Sequence, residues 1–243
     1  MRVLVISDIH ANYTALEAVL ADAGQADEIW CLGDLVGYGP DPNAVVEQVR
    51  ELPQLTCLLG NHDVAVIGKM PFETFNGDAR RSLIWTERVM TADNMDFLHS
   101  LTGSLKVRGE ATLAHGSPRD PIWEYILNTL SARLNFDHFD TPWCFVGHSH
   151  IQAIFRLNES NDRITLETPH LDVPLALTPR LILNPGSIGQ PRDRDPRAAY
   201  AFYDTDARTW TPRRVTYNVS EVQARIRESG LPEKHALRLA EGW

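Results

Sequence analysis

Cysteine is scarce: Cys31, Cys57 and Cys144 are the only three in 243 residues. An odd count without framework spacing excludes a disulfide scaffold. Each thiol sits inside an apolar strand-like run, where a free cysteine packs as a small hydrophobe and does not ligate metal. No apolar run approaches the roughly 20 residues of a membrane span. The opening Met-Arg-Val-Leu-Val-Ile-Ser enters a strand directly, without the charged region, long apolar stretch and cleavage site of a signal peptide. The sequence therefore reads as cytoplasmic, with no membrane partner. Long basic runs are missing too, and the formal net charge is −9 with a pI of about 5.4. This argues against a non-specific nucleic-acid binder and leaves small soluble ligands. An anionic substrate would need a local positive field from metal ions or a few arginines. The glycine-rich Asn184-Pro-Gly186-Ser187-Ile-Gly189 lacks the Gly-Lys-Ser/Thr ending of a P-loop, so it reads as a tight loop and not as a nucleotide cradle.

What remains is ordinary globular composition, 43% hydrophobic and 23% charged. Without repeats, low-complexity segments or a linker, residues 1–243 read as one domain. The first 62 residues alternate strand and helix: strands at 3–6, 28–32 and 55–59, with a helix at Leu16, Val19, Leu20 and Ala23 and another at Val45, Val46, Val49 and Leu52. Thr14 and Glu17 have capping-box spacing, and Asp41-Pro42 is a second helix start. This rhythm predicts parallel strands with right-handed crossovers. Residues 64–103 change character: helical stretches at 78–90 and 93–101 predict a helical insertion or cap, or simply a packed helix pair. An exposed apolar face on it would mark a dimer surface. From 104 onward short connections predict mainly antiparallel strands at 104–108, 111–114, 143–147, 152–157, 163–167, 180–183, 199–204 and 209–215. Two helices within 219–243 close the chain. The predicted fold class is α/β: two packed mixed sheets with helices outside both.

Five strand ends carry the chemistry. They are Val-Leu-Val-Ile-Ser-Asp8-Ile-His10, Ile-Trp-Cys-Leu-Gly33-Asp34, Cys-Leu-Leu-Gly60-Asn61-His62-Asp63, Thr-Leu-Ala-His115-Gly116 and Cys-Phe-Val-Gly147-His148-Ser149-His150. Ligands gather at the carboxyl ends of strands in α/β sheets. The two-residue spacings Asp8/His10 and His148/His150 would put both side chains on one face if strand conformation continued. Singly, each pattern is weak, since an Asp can cap a helix and an Asn can support a turn. Five strands each ending in a ligand type require ends that converge. Carboxylate, amide oxygen and imidazole without thiolate suit Mn, Fe, Co, Ni or Zn. Two such ions roughly 3.5–4 Å apart would clamp a phosphate and hold a hydroxide.

These ordered blocks resemble the calcineurin-like metallophosphoesterase superfamily, whose pattern is D-x-H, G-D, G-N-H-[DE], H and G-H-x-H. The flanking Gly33-Asp34-Leu-Val-Gly37-Tyr38-Gly39-Pro40, His115-Gly-Ser-Pro-Arg119-Asp120 and Asn184–Gly189 resemble its small prokaryotic phosphodiesterase branch. The resemblance implies a four-layer α/β/β/α sandwich. It also implies a first metal on Asp8, His10 and His150, a second on Asn61, His115 and His148, and Asp34 bridging them. His62 would bind phosphate and protonate the leaving oxygen. In the protein-phosphatase branch an Asp three residues after the bridging Asp orients this His. Gly37 stands there instead, which leaves the partner of His62 open.

Asn12 and Arg119 are further candidates for binding substrate, Asn12 with helix capping as its alternative. Arg119, Arg192, Arg194 and Arg197 alternate with Asp120, Asp193 and Asp195, a pattern that more often marks a salt-bridged surface. The expected activity is dimetal hydrolysis of small soluble phosphate esters, a phosphodiester first. A phosphomonoester, a phosphoprotein or a dinucleoside polyphosphate is the alternative substrate, and a protein-binding scaffold on the same fold is the alternative of another class.

Overall fold

The computed structural model describes residues 1–243, all of the chain. The first sheet holds β1 (Arg2–Ile6), β2 (Glu28–Cys31) and β3 (Leu55–Cys57), and it joins them to three late strands. These are β11 (Ala198–Asp204), β12 (Thr209–Val215) and the two-residue β9 (Leu175–Ala176), in the order β3-β2-β1-β11-β12-β9. The second sheet holds β4 (Lys106–Arg108), β5 (Ala111–Leu113), β6 (Trp143–Phe145), β7 (Gln152–Asn158), β8 (Arg163–Glu167) and β10 (Leu181–Pro185), in the order β4-β5-β6-β10-β7-β8.

Side-chain alternation explains why these sheets stack. Val3 and Val5 of β1, Trp30 of β2, Trp143 and Phe145 of β6, and Leu181 and Leu183 of β10 form one apolar layer between the sheets. The residues between them point the other way. Leu4, Ile6, Ile29 and Cys31 meet α1 (Tyr13–Ala23) and α2 (Pro42–Arg50) on the outside of the first sheet. Cys144 and Ile182 meet Ala132 of α6 (Thr129–Asn135) outside the second. Strands buried on both faces read as continuous apolar runs. The result is the expected α/β/β/α order of layers.

The three leading strands pair in parallel, as the βαβαβ rhythm predicts. The later pairing is less antiparallel than predicted: β6 runs parallel to both β5 and β10. The reason is connection length. The β5–β6 link is a crossover of more than a dozen residues that contains α6, and the β7–β8 hairpin intervenes before β10. The first helix also starts differently from its expected cap. Asn12, not Thr14, is its N-cap, accepting the Ala15 N–H at 3.1 Å. Pro42 does open α2, but the Asp41 carboxylate turns to Arg225 at 3.0 Å.

The helical stretch after β3 begins earlier than residue 64, because α3 (Asn61–Val66) opens on a candidate ligand. α4 (Gly77–Val89) and α5 (Ala92–Ser100) follow, and Leu83 and Leu98 pack into the helical layer of the first sheet. Val89 is the segment's one exposed large apolar side chain, so residues 64–103 present no exposed apolar face. α7 (Val219–Glu228) and α8 (Glu233–Glu241) pair with each other at the C-terminus.

Candidate metal centre

The candidate ligands leave the strands before they act. β1 ends at Ile6 and β6 at Phe145, so Asp8, His10, His148 and His150 are not on extended backbone. Asp8, His10, Asp34, His148 and His150 all have positive φ, between 48° and 63°. Non-glycine residues occupy that region at a cost and cluster at functional sites. The two-residue spacing brings Asp8 and His10 into one group of donors but divides His148 and His150 between two, in both cases through left-handed turns and not through the pleat that the sequence suggests.

Two groups of donor atoms form around one carboxylate. Asp8, His10, Asp34 and His150 make the first, and Asp34, His115 and His148 the second; within each group the donor atoms lie within 4.8 Å of one another. Oδ2 of Asp34 belongs to both, 3.4 Å from His10 Nε2 and 3.5 Å from His115 Nε2. Oδ1 of Asn61 joins the second group, 3.2 Å from His115 Nε2. The seven residues expected as ligands are all buried.

The outer atoms of these residues reveal what the inner ones carry. His10 Nδ1 lies 3.0 Å from the Val36 carbonyl, His115 Nδ1 3.0 Å from that of Leu32, His150 Nδ1 2.6 Å from that of Gln190, and His148 Nε2 3.1 Å from that of Trp123. A carbonyl only accepts, so each ring spends its proton outward and turns a bare lone pair inward. His10 Nε2 therefore faces His150 Nε2 at 3.1 Å, and His115 Nε2 faces His148 Nδ1 at 3.2 Å, lone pair against lone pair. The carboxylates follow the same rule. Asp8 Oδ2 accepts the His148 N–H at 3.0 Å and Asp34 Oδ1 the His62 N–H at 2.9 Å, while Asp8 Oδ1 and Asp34 Oδ2 are buried without a hydrogen-bond donor. Gly60 permits this approach, since a Cβ there would stand 2.1 Å from Asp34 Oδ1.

Burial pushes the Asp8 carboxyl up to about 7; burial together with the charges of Asp63 and Asp8 raises Asp34 well above the usual carboxylate range. Burial also lowers His10, His148 and His150 well below the ordinary imidazole value, and lowers His115 to about 3. Neutral imidazoles are ready to ligate, and crowded carboxylates regain their charge beside a cation. The donor set thus fits a divalent metal.

His62 stands at the edge of this cluster in the first turn of α3. Its ring packs between Tyr38, at 4.4 Å between centroids, His10 at 4.8 Å and Phe75 at 5.1 Å. Its Nδ1 is buried and has no partner. Gly37 accounts for that: a Cβ there would lie 2.2 Å from Nδ1, and its φ is +85°. A side chain at position 37 would overlap the imidazole, and the rings of Tyr38, His10 and Phe75 pack around His62 instead. Asp63, quoted in the motif but given no role from sequence, holds the surrounding loops. It accepts the N–H groups of Leu35, Val36 and Gly60 at 2.9, 3.1 and 2.9 Å.

The two substrate-binding candidates lie in settings of their own. Asn12 uses its oxygen to cap α1 and its amide N–H group on Gly189 O at 3.1 Å and Tyr217 Oη at 3.3 Å. Arg119 is held in an ion pair by Glu124. The rim nearest the ligands is instead aromatic. Tyr125 stacks on His148 with centroids 3.7 Å apart, and Trp123 meets Phe75 edge-on at 5.2 Å. Sequence reading passed over these rings because nothing distinguishes them from core aromatics. The Asn184–Gly189 loop lies beneath the site: Asn184 donates to Gly147 O at 2.7 Å, and Ser187 to Asp8 O at 2.7 Å.

Buried lone pairs of aspartate, asparagine and histidine at the strand ends of a two-sheet sandwich define a metal-dependent phosphoester hydrolase. Residues 1–208 match the model of the calcineurin-like phosphoesterase superfamily domain, and the chain belongs to that superfamily. It is similar to a metallophosphoesterase from Sphaerobacter thermophilus, 48% identical with a TM-score of 0.92, over 100% of this chain and 99% of the other. An uncharacterised protein of Methanocaldococcus jannaschii is 36% identical over 237 residues, 95% of this chain and 94% of that protein. A symmetrical bis(5'-nucleosyl)-tetraphosphatase of Photorhabdus laumondii is 39% identical over 72 residues, only 28% of this chain and 26% of that protein. No helix is long and apolar enough to cross a membrane.

Proposed function

We propose that the protein is a two-metal phosphoesterase acting on small soluble phosphate esters, with phosphodiesters as its first substrates. The observation that carries this is the pair of facing lone pairs, His10 against His150 and His115 against His148, on either side of the shared Asp34 Oδ2. In this reading Asp8, His10 and His150 hold one ion, Asn61, His115 and His148 the other, and Asp34 both. Two divalent ions of the Mn, Fe, Co, Ni or Zn kind would supply an activated nucleophile and neutralise phosphoryl charge. His62 contacts the phosphate and delivers the proton that the departing oxygen needs. The partial match to a tetraphosphatase, over 72 residues, supports a second substrate class, dinucleoside polyphosphates. Three buried free cysteines suit a reducing compartment such as the cytoplasm.

The test is to strip the protein, reload it with Mn, Ni or Zn, and assay bis-p-nitrophenyl phosphate, p-nitrophenyl phosphate and diadenosine tetraphosphate. About two metals per chain with metal-dependent diester cleavage is the expected outcome. Cleavage of the monoester alone would move the activity to a phosphatase. Full loading with no turnover would overturn the enzymatic assignment and favour a scaffold.

A further inference from the structure

Several arginines lie in the stretch after the Asn184–Gly189 loop or pack onto it, and three of them are held by carboxylates. Arg197 pairs with Asp195 at 2.6 Å, Arg214 pairs with Asp193 and lies 3.8 Å from Asp195, and Arg213 pairs with Asp172 at 2.7 Å. Arg192 forms no ion pair. Its backbone N–H donates to His150 O at 3.2 Å, which ties its position to a ligand residue. Its Nη2 reaches only neutral oxygens, Gln190 Oε1 at 3.2 Å and Tyr38 Oη at 3.4 Å, and its Nε is buried with no partner at all. The guanidinium carbon sits 5.7 Å from the centre of the Tyr38 ring, the same ring that packs on His62 and His10. The interleaved Asp and Arg residues of this loop predicted a salt-bridged surface; Arg192 departs from that pattern, and the neighbouring acids are engaged elsewhere.

A half-buried, unpaired cation beside a metal cluster is unfavourable unless something anionic joins it. Two carboxylates, Asp8 and Asp34, cannot neutralise two divalent ions and a guanidinium together. The chain as a whole is acidic, so an arginine without a carboxylate partner at the site is a local departure from its surroundings. Guanidinium N–H groups match phosphate oxygens in geometry as well as charge. A phosphodiester offers two non-bridging oxygens, and two metal ions can take both. A guanidinium at the rim then has work only if the substrate carries one more.

We propose that Arg192 is a specificity-determining residue that binds a phosphate oxygen beyond the two that a simple phosphodiester presents. This rests on the two-metal phosphoesterase reading. That oxygen has two sources with one chemistry, the third oxygen of a terminal phosphomonoester or an oxygen of a neighbouring phosphoryl group in a polyphosphate. Arg192 thereby favours the more anionic members of the substrate class, and Tyr38 and Gln190 hold its side chain in place.

The experiment compares metal-loaded wild type with Arg192→Gln and Arg192→Lys after checking that metal content and melting temperature are unchanged. For p-nitrophenyl phosphate or diadenosine tetraphosphate, Arg192→Gln is expected to raise KM about 10- to 100-fold, the range of a charge-assisted hydrogen bond. Bis-p-nitrophenyl phosphate should change less than about 3-fold, and Arg192→Lys should recover part of the loss. Loss confined to the monoester identifies the third oxygen, and loss confined to the tetraphosphate identifies the neighbouring phosphoryl group. Equal loss on all three substrates, or none on any, overturns the proposal. Calorimetric titration with inorganic phosphate gives a second readout that needs no turnover. If the wild type hydrolyses nothing, the two-metal reading fails on its own. Arg192 still stands if Arg192→Gln weakens phosphate binding about 10-fold or more, and falls if the affinities are equal.

Discussion

The floor of the site and its rim are held by different forces. On the floor, four imidazoles and two carboxylates are each pinned by a backbone group, carbonyls for the rings and N–H groups for the oxygens. Every inner atom is left as an unshared lone pair. On the rim, Tyr38, Phe75, Trp123 and Tyr125 are held by ring against ring, and Arg192 by neutral oxygens. The floor has its donor atoms oriented before any substrate arrives. The rim depends on packing, so its side chains set orientation and selectivity and do not set whether the reaction occurs.

The comparison predicts a ranking of damage. Asp34→Asn sits at the top, because one oxygen serves both groups of donors. Turnover should fall about 10³-fold or more, since metal chemistry supplies several kcal/mol and each 1.36 kcal/mol is tenfold. Bound metal, measured by atomic absorption, should fall with it; full metal occupancy in the variant would count against a shared ligand. Next comes His62→Ala. General acid catalysis contributes about 10²–10⁴-fold, and this loss should appear with metal content intact. A near wild-type rate would remove His62 from the chemistry.

A third variant tests where floor meets rim. Gly37→Ala inserts a Cβ into the space that His62 Nδ1 occupies, on backbone at φ +85°. The ring must move, and misplacement of about 1 Å costs on the order of 10²-fold. The expected result is a 10- to 100-fold drop in kcat with unchanged metal content. An unchanged kcat would show that the aromatic packing tolerates displacement and that orientation of His62 is not set here.

The same division decides what was legible in the sequence. Floor residues are chemically typed: Asp8, His10, Asp34, Asn61, His115, His148 and His150 stand out at strand ends, and the structure gathers all of them. The strands were legible because alternate residues of each serve two different apolar layers, which leaves continuous runs. The conformation that joins floor residues was not legible, since left-handed φ at Asp8 or His148 depends on tertiary contacts. Nor was strand direction in the second sheet, where the crossover through α6 overrides the tendency of short links to make hairpins. Tyr38 stands close enough to a ligand in sequence to be suspected of lining the pocket, whereas Phe75, Trp123 and Tyr125 stayed hidden because they have the composition of core. Arg192 differs from Arg197 only in which carboxylates its neighbours have already engaged, and that is a fact of three dimensions.

The smallest expected effect concerns what stands behind the rim. His235 on α8 packs against Tyr38 at 4.9 Å between centroids, donates from Nε2 to Asp78 O at 3.1 Å and leaves Nδ1 buried without a partner. Burial lowers its pKa to about 4, from the ordinary imidazole value of about 6.5. A depressed histidine is neutral in the fold while the unfolded chain takes up a proton first. Its contribution is therefore intact above pH 6.5 and lost as pH falls toward 4, by about 3 kcal/mol in the limit. His235→Gln keeps a polar side chain that does not titrate, so wild type should lose more stability than the variant between pH 7 and pH 4, measured by urea unfolding at each pH. Parallel curves would mean that His235 is solvated in solution and that α8 does not seal the back of Tyr38. Activity at pH 7 should change less than about 3-fold, because the residue supports the rim from behind and touches neither the donor atoms nor His62.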